Sequence, residues 1–367
     1  MNWYWPSLFT PHLDWLQVEI STHCNAACLY CPRTLYASCW HNYLMPLDIF
    51  RQLTPVLQKT RLVYLQGWGE PFTHPAFFEF ASLAKAAGCQ VGTTTNGMLL
   101  SEELCWRLVE GQIDIVAFSL AGIDGTNDQI RQGTSLKRVL ACIDTLNRFK
   151  ERRGVDKPAI HIAYLLLRSR LGDVEALPSF LKPLGINHVV ISTLDLIADQ
   201  RLADEAIAPV DEEEYEALRR RLDATIAAGH DLGLPMHAWL TAPKSRHREV
   251  DYADGEAKLS ISLTRGVCTE HIFNAAFVAA DGGVSPCVYA NLPLTAQVTH
   301  LVDGKETILT PLKFGSIDQQ SFAAIWRSPG YRAFRMAHQT GQTLTPCREC
   351  VRMRMLFNQQ VKEGSFV

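Results

Sequence analysis

No apolar run in these 367 residues reaches the ~18 that a membrane span requires, and the aromatic start, Met1 to Trp5, lacks the basic flank and apolar stretch of a signal peptide. Neither sign of charge is in excess. The 35 Lys plus Arg against 38 Asp plus Glu leave −3, too little imbalance to build a broad nucleic-acid or anionic-membrane surface. Internal repeats and low-complexity tracts are also missing. These absences point to a cytoplasmic globular chain with no nucleic-acid or membrane partner, long enough for about two domains of roughly 150 residues.

Cysteine, by contrast, is abundant: eleven residues, in a chain large enough to fold without disulfides. In a reducing compartment such thiols stay free for metal or redox chemistry. Seven fall into two groups, Cys24, Cys28 and Cys31 near the start and Cys268, Cys287, Cys347 and Cys350 near the end. Cys89, Cys105 and Cys142 sit in or beside apolar periodic stretches, where cysteine acts as a small buried hydrophobe. Cys39 shares that setting, but its closeness to the first group also brings it near a substrate.

Short apolar runs recur at 16–21, 62–68, 90–95, 114–120, 159–167 and 188–193 and predict six strands. Helical periodicity fills 74–87, 101–110 and 134–150 between them, and Gly88, Gly111, Gly154 and Gly185 stand where left-handed helix stops are expected. Strands alternating with helices imply parallel pairing, hence a doubly wound sheet or an incomplete barrel with its site at the strand C-terminal ends. The pattern then changes: 211–229 is an amphipathic helix, 241–258 is polar without a clear period, and from about 261 short strands, Gly turns and paired cysteines suggest a small metal-stapled domain.

In Cys24-Asn-Ala-Ala-Cys28-Leu-Tyr-Cys31 three thiols converge from one loop directly after the first strand. A 4Fe–4S cluster is fully ligated by four cysteines, so three leave one iron open. A zinc site completed by His23 or His41 is the competing reading. The last four cysteines suffice to close a metal site, zinc or iron–sulfur, without an exchangeable position.

CxxxCxxC after a first strand resembles the radical SAM enzymes, and the resemblance extends over roughly residues 16–195. Tyr30 matches the aromatic position before the third cysteine, near the adenine. Gly69-Glu70-Pro71 matches the segment that meets the methionyl amino group, although Trp68 stands where a second glycine is usual. Asn96, in Thr95-Asn96-Gly97, and Ser119 fall where the family contacts ribose and methionyl carboxylate, and Arg131 resembles an arginine that pairs with that carboxylate. The resemblance implies an α/β fold with a partial (β/α)6 TIM-like barrel, a SAM-binding 4Fe–4S cluster on Cys24, Cys28 and Cys31, and reductive cleavage of S-adenosylmethionine to a 5′-deoxyadenosyl radical.

The C-terminal layout, with Phe314-Gly315-Ser316-Ile317 and Ile325-Trp326-Arg327-Ser328-Pro329 ahead of Cys347-Arg-Glu-Cys350, resembles the twitch domain, a shortened relative of SPASM. No cysteine follows Cys350, which implies one auxiliary 4Fe–4S cluster, on Cys268, Cys287, Cys347 and Cys350. The expected organisation is 1–200 barrel, 201–260 helical bridge and 261–367 auxiliary cluster domain. Trp3, Trp5 and Trp15 are expected to cap the barrel bottom. Arg219-Arg220-Arg221 and 244–248 read as solvated faces, or more weakly as a docking patch. Glu19, His161 and Arg168 meet substrate or pair internally, and none is assigned as a catalyst.

About 15 residues precede the first strand, too few for a cobalamin-binding or leader-recognition domain, which disfavours cobalamin-dependent methylation. The expected function is hydrogen abstraction from a small molecule or peptide, with the auxiliary cluster assisting oxidation and flavodoxin or ferredoxin as reductant. A peptide or cofactor maturase performing cross-linking, epimerisation or rearrangement is the alternative within the family. A metal-stabilised scaffold without catalysis is the alternative outside it.

Overall fold

A computed structural model describes residues 10–243, 268–344, 347–353 and 355–357. Trp3, Trp5 and the basic run 244–248 lie outside the described residues.

The six expected strands form, as β1 (Leu13–Val18), β2 (Thr60–Leu65), β3 (Gln90–Thr95), β4 (Ile115–Leu120), β5 (Ala159–Leu165) and β6 (His188–Ser192). They lie side by side in chain order, every neighbouring pair parallel. Parallel neighbours need crossovers, and the helices supply them. Helix Phe77–Ala86 buries Phe77, Phe80, Ala81 and Ala84, and helix Leu136–Arg153 buries Leu136, Val139, Ile143 and Leu146, one stripe at helical spacing in each. Ile160, Ile162 and Tyr164 are buried on the opposite face of β5 from Ala163 and Leu165, so each strand has one face for the helices and one for the interior. Cys89, Cys105 and Cys142 are buried in this core.

The sheet continues past both ends of the six. β7 (Met236–Thr241) runs parallel to β6, inside the stretch expected to be only a helical bridge. β8 (Ala275–Val278), the first strand of the C-terminal segment, returns to pair parallel with β1, Trp15 opposite Ala275. β9 (Gly283–Ser285) extends that edge, and the hairpin of β10 (Thr299–Val302) and β11 (Lys305–Ile308) stands apart. β12 (Gly315–Ser316) follows β9, and β13 (Met355–Phe357) pairs with β7, giving eleven strands in one open sheet. The bridge and the C-terminal segment are therefore woven into the barrel sheet. A six-residue strand after a long helix, and a pairing across some 260 residues, leave little periodicity to find.

Gly88, Gly154 and Gly185 have the expected positive φ, but Gly111 has φ −72 and its neighbour Gln112 takes the left-handed turn at φ 51. The helix expected at 211–229 spans Glu212–Asp231, and the Asp211 carboxylate accepts the Glu214 N–H at 2.9 Å. Asp211→Ala removes this cap and should cost about 1 kcal/mol, read as a lower urea midpoint at unchanged m-value. Among the described residues no helix is long and apolar enough to cross a membrane.

Candidate active site

The loop leaving β1 carries Cys24, Cys28 and Cys31 around one end of a cavity of about 270 Å³. Its opposite walls are the C-terminal ends of the neighbouring strands, where a parallel α/β fold exposes its chemistry. Backbone bonds strap the loop in place: Ala27 N–H donates to Gln132 O at 2.7 Å and Leu29 N–H to Ile130 O at 3.0 Å. All three thiols are free, and burial pushes Cys24 up and Cys31 up to about 12. A cation in the cavity would reverse that preference and stabilise thiolates.

The donor set fits an iron–sulfur cluster better than zinc. Cys24, Cys28 and Cys31 all line the cavity, and neither candidate fourth ligand for zinc joins them: His23 is outside the lining and His41 stacks on Tyr43 at 4.1 Å.

Glu70 lines the same cavity with both oxygens engaged. Oε1 accepts from Thr95 Oγ1 at 2.7 Å and from Phe72 N–H at 3.3 Å, and Oε2 accepts from Asn96 N–H at 2.7 Å. Burial raises its pKa to about 7 against these bonds. Asn96, so placed, donates to Asn25 Oδ1 at 2.8 Å and reaches Cys24 Sγ at 3.8 Å. Glu70 thus couples the end of β2, the end of β3 and the cysteine loop.

Arg131 and Tyr30 close the other side, the guanidinium donating to the phenol oxygen. Burial opposes a charge on Arg131, but the Tyr30 phenol and the three thiols outweigh it and raise its pKa. A fixed cation beside three thiols suits a carboxylate. Ser119 completes the lining from β4, whereas Pro71 does not line the cavity and begins a turn behind it.

Trp68, where a glycine was the family expectation, faces the C-terminal segment. Its indole N–H donates to the carbonyls of Asn291 at 3.1 Å and Val288 at 3.3 Å, and its ring meets Tyr289 edge-on at 5.8 Å. Behind it Glu19 is fully buried: Oε1 accepts Trp68 N–H at 2.6 Å, and burial raises its pKa to about 8 against backbone N–H groups of Trp68, Ala280 and Gly69. A carboxyl that is neutral when folded and ionised when unfolded favours the fold most below pH 4.5 and loses that advantage as pH rises through about 8. The fall in urea midpoint between pH 6 and 9 should therefore be smaller in Glu19→Gln than in the wild type.

A second cavity of about 310 Å³ adjoins the first and is lined by Cys287, Cys347 and Cys350. The Cys268 thiol lies within electrostatic reach of Cys347 and Cys350. Leu194, Asp195, Leu196 and Tyr289 form a wall common to both cavities. Sequence reasoning passed over Asp195 and Tyr289; their one signal was position, just past β6 and two residues after Cys287. Other flagged residues pair internally. His161 packs against His188 at 5.2 Å, Arg168 binds Glu214 at 3.1 Å, and the Cys39 thiol contacts Tyr36 O at 3.5 Å. Arg219 pairs with Glu216 and Asp223, and Trp15 packs on Tyr64.

Two family models match in tandem: the radical SAM superfamily over residues 18–163, and the SPASM iron–sulfur cluster-binding domain over 268–351. The chain is 25% identical over 351 residues to the tungsten-containing aldehyde ferredoxin oxidoreductase cofactor-modifying protein of Pyrococcus furiosus, covering 92% of this chain and 87% of that protein. It is 27% identical over 132 residues to the AdoMet-dependent heme synthase of Methanosarcina barkeri, covering 35% of this chain and 38% of that one. In fold it is similar to Streptococcus suis SuiB bound to S-adenosylmethionine, at TM-score 0.63 and 13% identity over 94% of this chain and 72% of that chain. It is also similar to anSMEcpe with bound AdoMet and the Cp18Cys peptide, at TM-score 0.60 and 17% identity over 93% and 87%. An iron–sulfur cluster, S-adenosylmethionine and auxiliary iron–sulfur ligation go with these domains, and the chain belongs to the radical SAM enzymes that carry a C-terminal SPASM/twitch-like domain.

Proposed function

We propose that the chain abstracts hydrogen from a small molecule or a peptide and completes an oxidation with the help of its second iron–sulfur site. Cys24, Cys28 and Cys31 hold the SAM-binding 4Fe–4S cluster, and Cys268, Cys287, Cys347 and Cys350 hold the auxiliary one. When bound, the first cluster and SAM supply a 5′-deoxyadenosyl radical, and the second cluster supplies an acceptor for the electron left on the substrate. The protein's share is placement and exclusion of water. Arg131 holds the methionyl carboxylate against Tyr30, and Asn96, fixed through Glu70, orients the nucleoside with Ser119. Gly69 shapes the turn around the amino group, with Pro71 supporting that turn from outside the cavity, while Leu165, Leu194 and Leu196 keep the reacting face apolar.

The observation that carries this reading is the shared wall: a cavity with three thiols and a buried arginine abuts a cavity lined by Cys287, Cys347 and Cys350. Free thiols throughout suit a reducing cytoplasm, with flavodoxin or ferredoxin as electron donor. The similarity along 92% of the chain to a cofactor-modifying protein favours a second reading, a maturase acting on a peptide or organic cofactor. Anaerobic protein given SAM, dithionite and a candidate substrate separates the two by product mass. Loss of two hydrogens supports oxidation, with fragmentation telling a simple oxidation from a cross-link; unchanged mass supports epimerisation or rearrangement. Failure to form 5′-deoxyadenosine with either substrate class, from protein carrying both clusters, would sink both.

A further inference from the structure

Two residues beyond three of the four C-terminal cysteines stand Glu270, Tyr289 and Arg352, and the three side chains meet. Arg352 Nη1 lies 3.3 Å from Glu270 Oε1 and Nη2 lies 2.6 Å from Asp195 Oδ2. The Tyr289 hydroxyl donates to the same Asp195 oxygen at 2.7 Å, accepts from Arg352, and has the guanidinium 4.6 Å from its ring centre. The Arg352 and Asp195 side chains are each 11% exposed.

A charged pair buried this deeply is weak support for stability, because apolar residues of similar volume serve a core as well. Its placement suggests another use. Asp195, just past β6, lines both cavities, and Arg352 lies two residues from Cys350. Asp195 shares the lining of the second cavity with Cys287, Cys347 and Cys350, so its charge and that of the Arg352 bound to it stand beside those thiols. A cluster held by four thiolates becomes more negative on reduction. A permanently charged guanidinium nearby favours that step and a carboxylate opposes it, most strongly in a low-dielectric interior.

We propose that Arg352 and Asp195 are positioning residues that set the reduction potential of a cluster on Cys268, Cys287, Cys347 and Cys350, Arg352 raising it and Asp195 lowering it. This rests on the reading that the second site holds an iron–sulfur cluster. Through Asp195 and Tyr289 the charge of that cluster is felt on the wall of the SAM cavity, so the two sites are electrostatically coupled.

The test is an EPR-monitored redox titration of the full-length chain with Cys24, Cys28 and Cys31 replaced by alanine, which leaves one cluster to observe. In that background Arg352→Gln should lower the midpoint and Asp195→Asn should raise it. The double variant should return towards the parent, and Arg352→Lys should stay close to it. Opposite shifts from the two halves of one pair are the signature that a merely structural role does not give. Shifts in the same direction, or no shift with about four irons retained, would overturn the proposal. Should Arg352→Gln fail to hold iron, the near-isosteric Asp195→Asn decides alone: a raised midpoint supports the proposal, and an unchanged or lowered one overturns it. A background that binds no iron would remove the reading of the second site itself, and the proposal with it.

Discussion

Replacing Cys24, Cys28 and Cys31 together by alanine should abolish 5′-deoxyadenosine formation from SAM and dithionite and lower the iron content from about eight to about four atoms per chain. The expectation rests on two separate thiol sets, with Cys24, Cys28 and Cys31 at the end of the first cavity and Cys287, Cys347 and Cys350 lining the second. The triple variant should nevertheless fold. Cys24 and Cys31 are only half-buried, and the straps from Gln132 and Ile130 that hold the loop are backbone bonds alanine leaves intact. Iron, sulfide and deoxyadenosine, measured anaerobically on both proteins, make the comparison. About four irons and full activity in the wild type would make the C-terminal site zinc or empty, and the electron-acceptor role would fall. Activity surviving in the triple variant would contradict the assignment of the first cluster altogether.

Gly69→Ala should be nearly as damaging although it adds one methyl group. A Cβ at this position would lie 2.3 Å from Ser21 O and 2.5 Å from His23 O, both backbone atoms of the segment that leads into Cys24. Backbone cannot swing aside as a long side chain can, so the segments must part. The Glu70 N–H bond to His23 O, now 2.7 Å, is then lost. Overpacking of this kind costs about 1–3 kcal/mol, and here the strain falls on the join between the cysteine loop and the β2 turn. SAM affinity should fall at least roughly tenfold, equivalent to about 1.4 kcal/mol, measurable by equilibrium dialysis, with loss of deoxyadenosine formation. Gly172→Ala is the control: nothing lies within 4 Å of its Cβ position, and stability and SAM binding should stay near wild type. Equal effects from the two substitutions would show that close approach at Gly69 is not what the site depends on.

The sequence carried the barrel because its signals there are local. Alternation marks β5, helical spacing marks Leu136–Arg153, and a carboxylate ahead of an acidic first turn marks the start of Glu212–Asp231. The cysteine loop was equally legible, since its three thiols fall within eight residues. What escaped depends on contacts between distant segments. β8 has no feature that names β1 as its partner, and Glu19 reads as an ordinary strand-end acid until the fold buries it beneath Trp68. Trp68 looked like a departure from a glycine pattern; the structure gives it carbonyl partners more than 200 residues away. The buried group of Asp195, Glu270, Tyr289 and Arg352 draws on four segments, so no sequence window contains it.

The pairing of β8 with β1 also has a consequence in time. As the chain is synthesised, β1 emerges first, and the partner of its outer edge follows some 260 residues later. At 5–20 residues per second that is roughly 13–50 s during which a row of backbone donors and acceptors stands open, the kind of edge on which another chain can add a strand. The cysteine loop hangs from this same strand. A cell making this protein therefore handles a nascent barrel whose most reactive loop adjoins its stickiest edge, and the edge is covered only when the segment leading to the last cysteines arrives.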